Sequence, residues 1–375
     1  MTPHDEDDIV QHVTSILKRR IDTSAHASLK RFIMSFYGYQ HLKALKRLSP
    51  ERIADGIERL WNFIQVREAS SPKYEVFFWK PETLEASPDR LVIQIVNENM
   101  PFLVGSLIHL LSRLELKPRF VIHPVLFTQR DASGRLVSLS DKNTTHHANH
   151  SEESLIYCEV LENVTPESVE RVLSELPQML LEIRQATQDW SAMQKCIGTA
   201  LEDMDASAYP GEQTRILEVK EFLSWIQDEH FTFLGYCRYE LYGEDGRLLR
   251  EPRASNPLGI LRAEDQRRLN HVFEGVNYSQ TARHLILKPS PLIINKTTQV
   301  SRVHRSVPMD VIGVRYLNEK GDVIGLHMFL GLFTSVAYDS SARDIPYLRR
   351  KVEQVVTSAG LEPTWHDGKA LIHVL

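Results

Sequence analysis

Arg90–Leu126, RLVIQIVNENMPFLVGSLIHLLSRLELKPRFVIHPVL, is the stretch on which the fold turns. Its opening run, Arg90–Val96, is β-branched, apolar and bounded by turn residues, which predicts a buried strand. Asn97–Pro101 (NENMP) ends that strand. From Phe102 to Leu116 the apolar residues Leu103, Leu107, Leu110, Leu111 and Leu114 keep helical spacing. Pro118 breaks the helix, and Arg119–Arg130 reads as a second strand. Pro124 lies inside it and has no N–H for a ladder, so an edge or a bulge is expected there.

Upstream, Tyr74–Trp79 (YEVFFW) is a further strand between breaks at Ala69–Pro72 and Ala86–Pro88. Residues 1–66 read as helical. Ile53, Ile57, Leu60, Trp61 and Ile64 recur behind Ser49-Pro50-Glu51, where Ser49 suits an N-cap and Pro50 the first helical position. The aromatic stretch Arg31–Leu48 has the spacing of core packing. Downstream come a turn at Asp131–Gly134, a strand from Arg135, a polar loop with His146, His147 and His150, and a strand at Ser154–Leu161. A helix starts at Thr165-Pro166-Glu167 and runs to about Leu201, with Pro177 expected to kink or split it.

A β-α-β start whose later strands are joined by turns predicts an α+β fold, a ferredoxin-like βαββαβ sandwich. Met204–Thr214, small and polar with Pro and Gly, marks a boundary. Beyond it, a helix at Ile216–Gln227 and strands at Phe231–Leu241, His284–Asn295, Val307–Leu317 and Val323–Phe333 describe a second domain on an antiparallel sheet. A helix at Ile345–Ala359 and a strand at Ala370–Leu375 follow. The expected divisions are a helical segment at 1–73, the sandwich at 74–203, the second sheet domain at 212–340 and a further region at 341–375.

Composition narrows the function classes. With 42% hydrophobic and 25% charged residues the chain has ordinary globular usage. Forty-four Lys and Arg against 49 Asp and Glu leave a net charge of -5, so no nucleic-acid partner is expected. Three cysteines without a CxxC pair suit a reduced compartment. The N-terminal MTPHDEDDIV is acidic where a signal peptide is basic, and no apolar run approaches the roughly 20 residues of a membrane span. The expectation is a cytoplasmic protein with no membrane partner.

None of GxGxxG after a strand, GxxxxGK[ST], GxSxG or HExxH occurs. His146, His147 and His150 are metal-ligating types, but a polar loop without nearby Cys reads as solvated, and no metal is expected. Arg302, His304 and Arg305 beside Asp310 could hold an anion. Strand alternation puts Arg302 and His304 on one face and Arg305 on the other, so surface or interdomain ion pairing is the reading taken. Asp344 is read as the cap of the last helix and Arg343 as a docking contact. The loop Asn97–Phe102 passes from a strand into a helix N-terminus, whose free N–H groups and dipole can hold a carboxylate with no catalytic residue. Asn99 and Pro101 can equally cap and start that helix, and both readings stand.

Together with Arg90–Leu126, three later stretches in the same order carry a resemblance. They are Trp225–Gly235 (WIQDEHFTFLG), Val303–Val314 (VHRSVPMDVIGV) and Leu330–Ala370 (LGLFTSVAYDSSARDIPYLRRKVEQVVTSAGLEPTWHDGKA). From about residue 30 to its end the chain resembles the N-terminal regulatory region of the large bacterial NAD-specific glutamate dehydrogenases. The resemblance implies an ACT-type domain at 74–203, a PAS-like domain at 212–340 and the start of a truncated region at 341–375. It implies an enzyme family that deaminates L-glutamate to 2-oxoglutarate and ammonia while reducing NAD. In that family the catalytic and dinucleotide-binding machinery lies far toward the C-terminus. This chain is therefore expected to supply no catalytic residue, to bind no cofactor and to be inactive alone, NAD belonging to the full-length family. The implied partners are the missing C-terminal catalytic region or full-length subunits, in a homo-oligomer, and an amino-acid effector. ACT-type domains bind amino acids at the loop after the first strand, which makes Asn97, Asn99, Met100 and Phe102 the candidates. The chain has Asn-Met-Pro-Phe where many ligand-binding ACT domains carry an Asp and a Pro-Gly pair, so a domain that only assembles subunits is implied as well. The alternative is a free-standing amino-acid-binding sensor module acting on a separate partner.

Overall fold

Seven consecutive residues of the opening run, Leu91–Asn97, are buried, because both faces of this strand are covered. The computed structural model describes residues 3–37, 49–79, 90–140, 150–160, 164–209, 213–240, 257–262, 290–362 and 365–367. They fall into two units, Met1–Leu180 and Leu181–Leu375.

In the first unit, α1 (Pro3–Arg20), α2 (His26–Tyr37) and α3 (Pro50–Ile64) precede the sheet. Pro50 opens α3 after Ser49, which occupies the N-cap without a side-chain bond. The apolar stripe of α3 is buried along its whole length, and Phe32 of α2 meets Trp61 edge-to-face at 5.5 Å. The described part of the aromatic stretch thus packs inward, and these helices share a core with Val96, Ile122, Leu126, Leu139 and Leu155 of the sheet.

The sheet contains β1 (Lys73–Trp79), β2 (Arg90–Glu98), β3 (Pro118–Ile122), β4 (Val125–Arg130), β5 (Leu136–Ser140) and β6 (Ser151–Val160). Its order is β1-β2-β6-β4-β5, with β3 also paired to β6. Every pairing is antiparallel. One flank of β6 bonds β2, from Leu91 opposite Val160 to Glu98 opposite Glu153. Its other flank takes β3 near the C-terminal end and β4 near the N-terminal end. The ladder breaks at His123-Pro124, where proline lacks a donor. The Pro124 carbonyl still accepts from the Leu155 N–H at 3.0 Å. Since β6 is antiparallel to both neighbours, β2 and β3 are parallel, and α4 (Leu103–Arg113) makes the crossover between them. The strand flanking β2 on its outer side is β1, which precedes it in the chain.

After β6, Thr165 and Ser168 bond reciprocally, each backbone N–H to the other's hydroxyl at 2.9 and 3.2 Å, and start α5 (Pro166–Asp205). The expected split at Pro177 does not occur, and α5 is one helix of 40 residues. The carbonyl that Pro177 deprives of a partner belongs to Leu173, a residue 43% exposed, where water can serve instead.

The second unit contains the end of α5, then α6 (Gln213–Trp225), a π turn at Ile226–His230, β7 (Phe231–Glu240), β8 (Leu258–Gly259), β9 (Leu292–Val300), β10 (Pro308–Leu317), β11 (Val323–Phe333), α7 (Ser335–Asp339) and α8 (Leu348–Ser358). The antiparallel sheet has the order β8-β7-β11-β10-β9. Met193, Ile197, Ala200 and Met204 pack with Phe222, Phe233, Ile312 and Phe329 in its core. The strand expected at His284–Asn295 is observed as β9, displaced to Leu292–Val300, with residues 284–289 outside those described, as is the strand expected at Ala370–Leu375.

Two local expectations are corrected. Residues 301–307 form a closed bend, with the Ser301 N–H on the Val307 carbonyl at 2.9 Å, His304 at φ 68° and Val303 fully buried. Strand alternation therefore does not apply to Arg302, His304 and Arg305. The last helix begins at Leu348, later than expected, and Tyr347 occupies its N-cap rather than Asp344, whose N–H closes a turn onto Ser341. Among the described residues, no helix is long and apolar enough to cross a membrane.

Candidate functional site

Where β2 runs out of ladder, Asn97 is still buried opposite Ser154, and its amide lies 3.6 Å from the Met100 sulfur. Asn99 follows on the exposed side. Its N–H donates to the Glu152 carbonyl at 2.9 Å, and its side-chain NH2 donates to the Glu152 carboxylate at 2.8 Å. A carboxylate only accepts, so this bond fixes the amide orientation and leaves Oδ1 to receive the Ser154 hydroxyl at 2.8 Å. The one Ser154 proton is thereby used, and His123 Nε2, 3.0 Å from the same hydroxyl, must be the donor in that contact. Burial lowers the His123 pKa, consistent with a neutral ring holding this Nε2–H tautomer.

This polar chain borders a cleft of about 370 Å3, whose walls include Arg31, Ser35, Asn99, Phe127, Ser140 and Glu152. Arg31 reaches it from α2 and donates to the Leu139 carbonyl at 3.1 Å. A guanidinium, a carboxylate and an amide thus face one cleft that also has apolar walls. Such a set can receive a small zwitterion, its carboxylate on Arg31 and its ammonium on Glu152.

Of the four residues predicted from the sequence, Asn99 lines the cleft. Asn97 and Met100 engage each other. Phe102 sits at the N-cap of α4 with φ 73° and no side-chain cap bond, and its carbonyl accepts from Ser106 at 2.8 Å. The helix therefore starts after Phe102, and Asn99 and Pro101 neither cap nor open it. Phe102 takes the left-handed backbone for which glycine is the usual residue, a conformation that costs about 1–3 kcal/mol elsewhere repaid. Arg31, Glu152, Ser154 and His123 were not singled out. A lone charge on a helix or strand carries no mark of the neighbour it meets across the fold.

Behind the cleft, Glu153 faces the opposite side of β6 and is fully buried between two arginines. Arg67 donates to it at 2.9 and 3.1 Å, and Arg130 donates twice at 2.7 Å. Burial alone would raise the Glu153 pKa, but the bonds and charges of Arg130 and Arg67 outweigh it and hold the carboxyl below its ordinary value. Arg130 also donates to the Gly134 and Ile64 carbonyls, and Arg67 to those of Glu68 and Ser71. The triad fastens the end of α3 to β4 and β6, and so holds the strand that presents Glu152.

The other candidate groups are dispersed. Arg302 pairs with Glu182 at 3.1 Å, and Asp310 with Lys296 at 2.6 Å. Arg305 lies over the Tyr338 ring, 5.6 Å from its centroid. His146 and His147 lie outside the described residues, and among those described no group of three His, Cys, Asp or Glu could hold a metal ion. In the second unit the fully buried His327 bridges Asp203 and Tyr236, each at 2.9 Å, and Asp203 is also paired with Arg238. Burial lowers the His327 pKa against the opposing pull of Asp203.

Residues 32–176 match the model of the glutamate dehydrogenase ACT1 domain, and residues 345–375 that of glutamate dehydrogenase helical motif 1. The NAD-specific glutamate dehydrogenase of Halomonas elongata is 29% identical over 372 residues, covering 98% of this chain and 23% of the relative. That of Pseudomonas aeruginosa is 27% identical over 378 residues, covering 98% and 22%. That of Mycobacterium tuberculosis is 24% identical over 292 residues, covering 76% and 16%. The chain thus spans less than a quarter of the length of these relatives, and it is similar to a portion of the NAD-specific glutamate dehydrogenases that contains the ACT1 domain.

Proposed function

We propose that this chain is the regulatory and subunit-assembling portion of an NAD-specific glutamate dehydrogenase, and that the cleft at Arg31, Asn99 and Glu152 receives an amino-acid effector. In this reading the first sheet is an ACT-type, ferredoxin-like unit, with β2, α4, β3–β4 and β6 as its split β-α-β. The second sheet is a PAS-like unit. The reaction, L-glutamate with NAD and water to 2-oxoglutarate, ammonia and NADH, is carried out by residues outside this chain, in a cytoplasmic homo-oligomer. NAD is bound there.

The observation that carries the reading is the meeting of a cation, a carboxylate and the Asn99 amide on one cleft, with Asn99 and Glu152 inside the segment that matches the ACT1 domain and Arg31 one residue before it. Isothermal titration of the chain with a panel of L-amino acids, glutamate and aspartate included, tests it. Binding is expected for at least one, and Glu152→Gln should weaken it about tenfold by removing the charge that meets the ammonium. Absence of heat with every amino acid, or affinity unaltered by Glu152→Gln, would overturn the effector site. Formation of NADH from glutamate and NAD by this chain alone would overturn the regulatory assignment.

A further inference from the structure

A second cavity, of about 440 Å3, lies wholly within the second unit, walled by Phe222, Trp225, Phe333, Tyr338 and Tyr347, with Lys351 at its rim. Its volume falls in the range of small-molecule sites, and its walls are apolar, aromatic side chains alternating with aliphatic ones such as Ile294, Ile345 and Leu348. Those walls are held in place before any ligand arrives. Phe222 stacks on Trp225 at 5.8 Å, and Trp225 stacks on His230 at 4.2 Å, whose Nδ1 lies 2.8 Å from the Trp225 carbonyl. The turn that carries Tyr347 is clamped by Glu218, which accepts the Tyr347 N–H at 2.7 Å and the Arg349 guanidinium at 2.8 and 3.0 Å. Tyr347 is kept at φ 67° there, a strained backbone for a residue with a side chain. Tyr338 is nonetheless 61% exposed, so part of the aromatic wall is wet.

The charges around this cavity specify its ligand. Lys351, its ammonium 4.8 Å from the centre of the Tyr347 ring, is the charged residue of the lining, and among the described residues no lining side chain is acidic. The aromatic walls ask for a flat or bulky apolar body, and Lys351 for one anionic group. An ammonium on the same ligand would meet no carboxylate in this lining and would be repelled by Lys351. We propose that this cavity binds a carboxylic acid with an aromatic or large apolar body and no ammonium group, of the class of aryl 2-oxo acids. The site is separate from the amino-acid cleft of the first unit and is of opposite preference.

The test is calorimetry on the full chain carrying Glu152→Gln, which weakens the first cleft, with phenylpyruvate, L-phenylalanine and 2-oxoglutarate as probes. Phenylpyruvate is expected to bind at one site, at least about tenfold more tightly than either other probe. Lys351→Met, a substitution at an exposed position, should weaken phenylpyruvate about fivefold. Ala337→Leu, which fills the cavity, should abolish the heat while the circular dichroism spectrum stays unchanged. Absence of heat with phenylpyruvate, equal binding of L-phenylalanine, or an affinity unmoved by Lys351→Met would each overturn the assignment.

Discussion

Replacing Glu153 by Gln keeps the shape of the Arg67–Glu153–Arg130 triad and removes its only negative charge. In the wild-type fold two guanidiniums, 4% and 9% exposed, share one carboxylate with no exposure, through four bonds of 2.7 to 3.1 Å. Glutamine with its oxygen at the Oε1 position can still accept from Arg67 and from Arg130 Nε, but its NH2 group then faces Arg130 Nη2 as donor against donor, and the two guanidiniums lose their counter-ion. Removing one partner from a buried ion pair costs about 3–5 kcal/mol, and the retained acceptor places this variant near the lower end. With a urea m-value of about 2 kcal/mol/M, a loss of about 3 kcal/mol moves the first unit's midpoint down by about 1.5 M. Far-UV circular dichroism in urea at pH 7 measures it. The pH dependence supplies a second check. Because the folded carboxyl titrates below its unfolded value, its stabilisation is fully present above the unfolded pKa and disappears as pH falls through the folded one. The deficit of the variant should therefore shrink as pH falls below the ordinary glutamate value near 4.5. A loss below about 1 kcal/mol at pH 7, or a deficit that does not shrink in acid, would refute the view of Glu153 as a buried counter-ion.

Two further outcomes are expected. Gly134 has φ +76°, and a Cβ there would stand 2.2 Å from the Arg67 carbonyl oxygen, so Gly134→Ala should cost about 1–3 kcal/mol, read from the same urea transition. His327 is held neutral by burial, and the unfolded chain takes up its proton first as pH falls, so wild-type stability should drop as pH passes down through the unfolded value near 6.5. Thermal melting at pH 7.5 and pH 5.5 should show a smaller difference for His327→Gln than for the wild type. Equal differences would mean that His327 does not contribute.

The elements most legible in the sequence were those whose signal is local. RLVIQIV announces a strand covered on both faces, Pro124 announces the ladder break between Ile122 and Val125, and the α3 stripe announces a packed face. Arg302–Arg305 looked like part of a strand because its residues permit one, but the bond from Ser301 to Val307 closes them into a bend. Asn99 could be singled out from its place between strand and helix. Glu152, 53 residues away, could not, because its pairing is set by the register of β6 against β2. The Arg67–Glu153 contact spans 86 residues, and in one dimension both partners read as ordinary surface charges.

The place of β6 between β2 and the β3–β4 strand also governs when this sheet can exist. Its partners are made first, and β6 is the last of the six strands to be synthesised. Until residue 160 has left the ribosome, β2 can pair only with β1, and one edge of its mostly apolar seven-residue buried run remains open to other chains. Closure then requires Leu91 to find Val160, a long-range pairing of the kind that slows folding. The nascent chain thus carries an aggregation-prone edge for the time needed to translate about 60 residues, and a pause in synthesis before β6 would lengthen that exposure more than a pause anywhere after it.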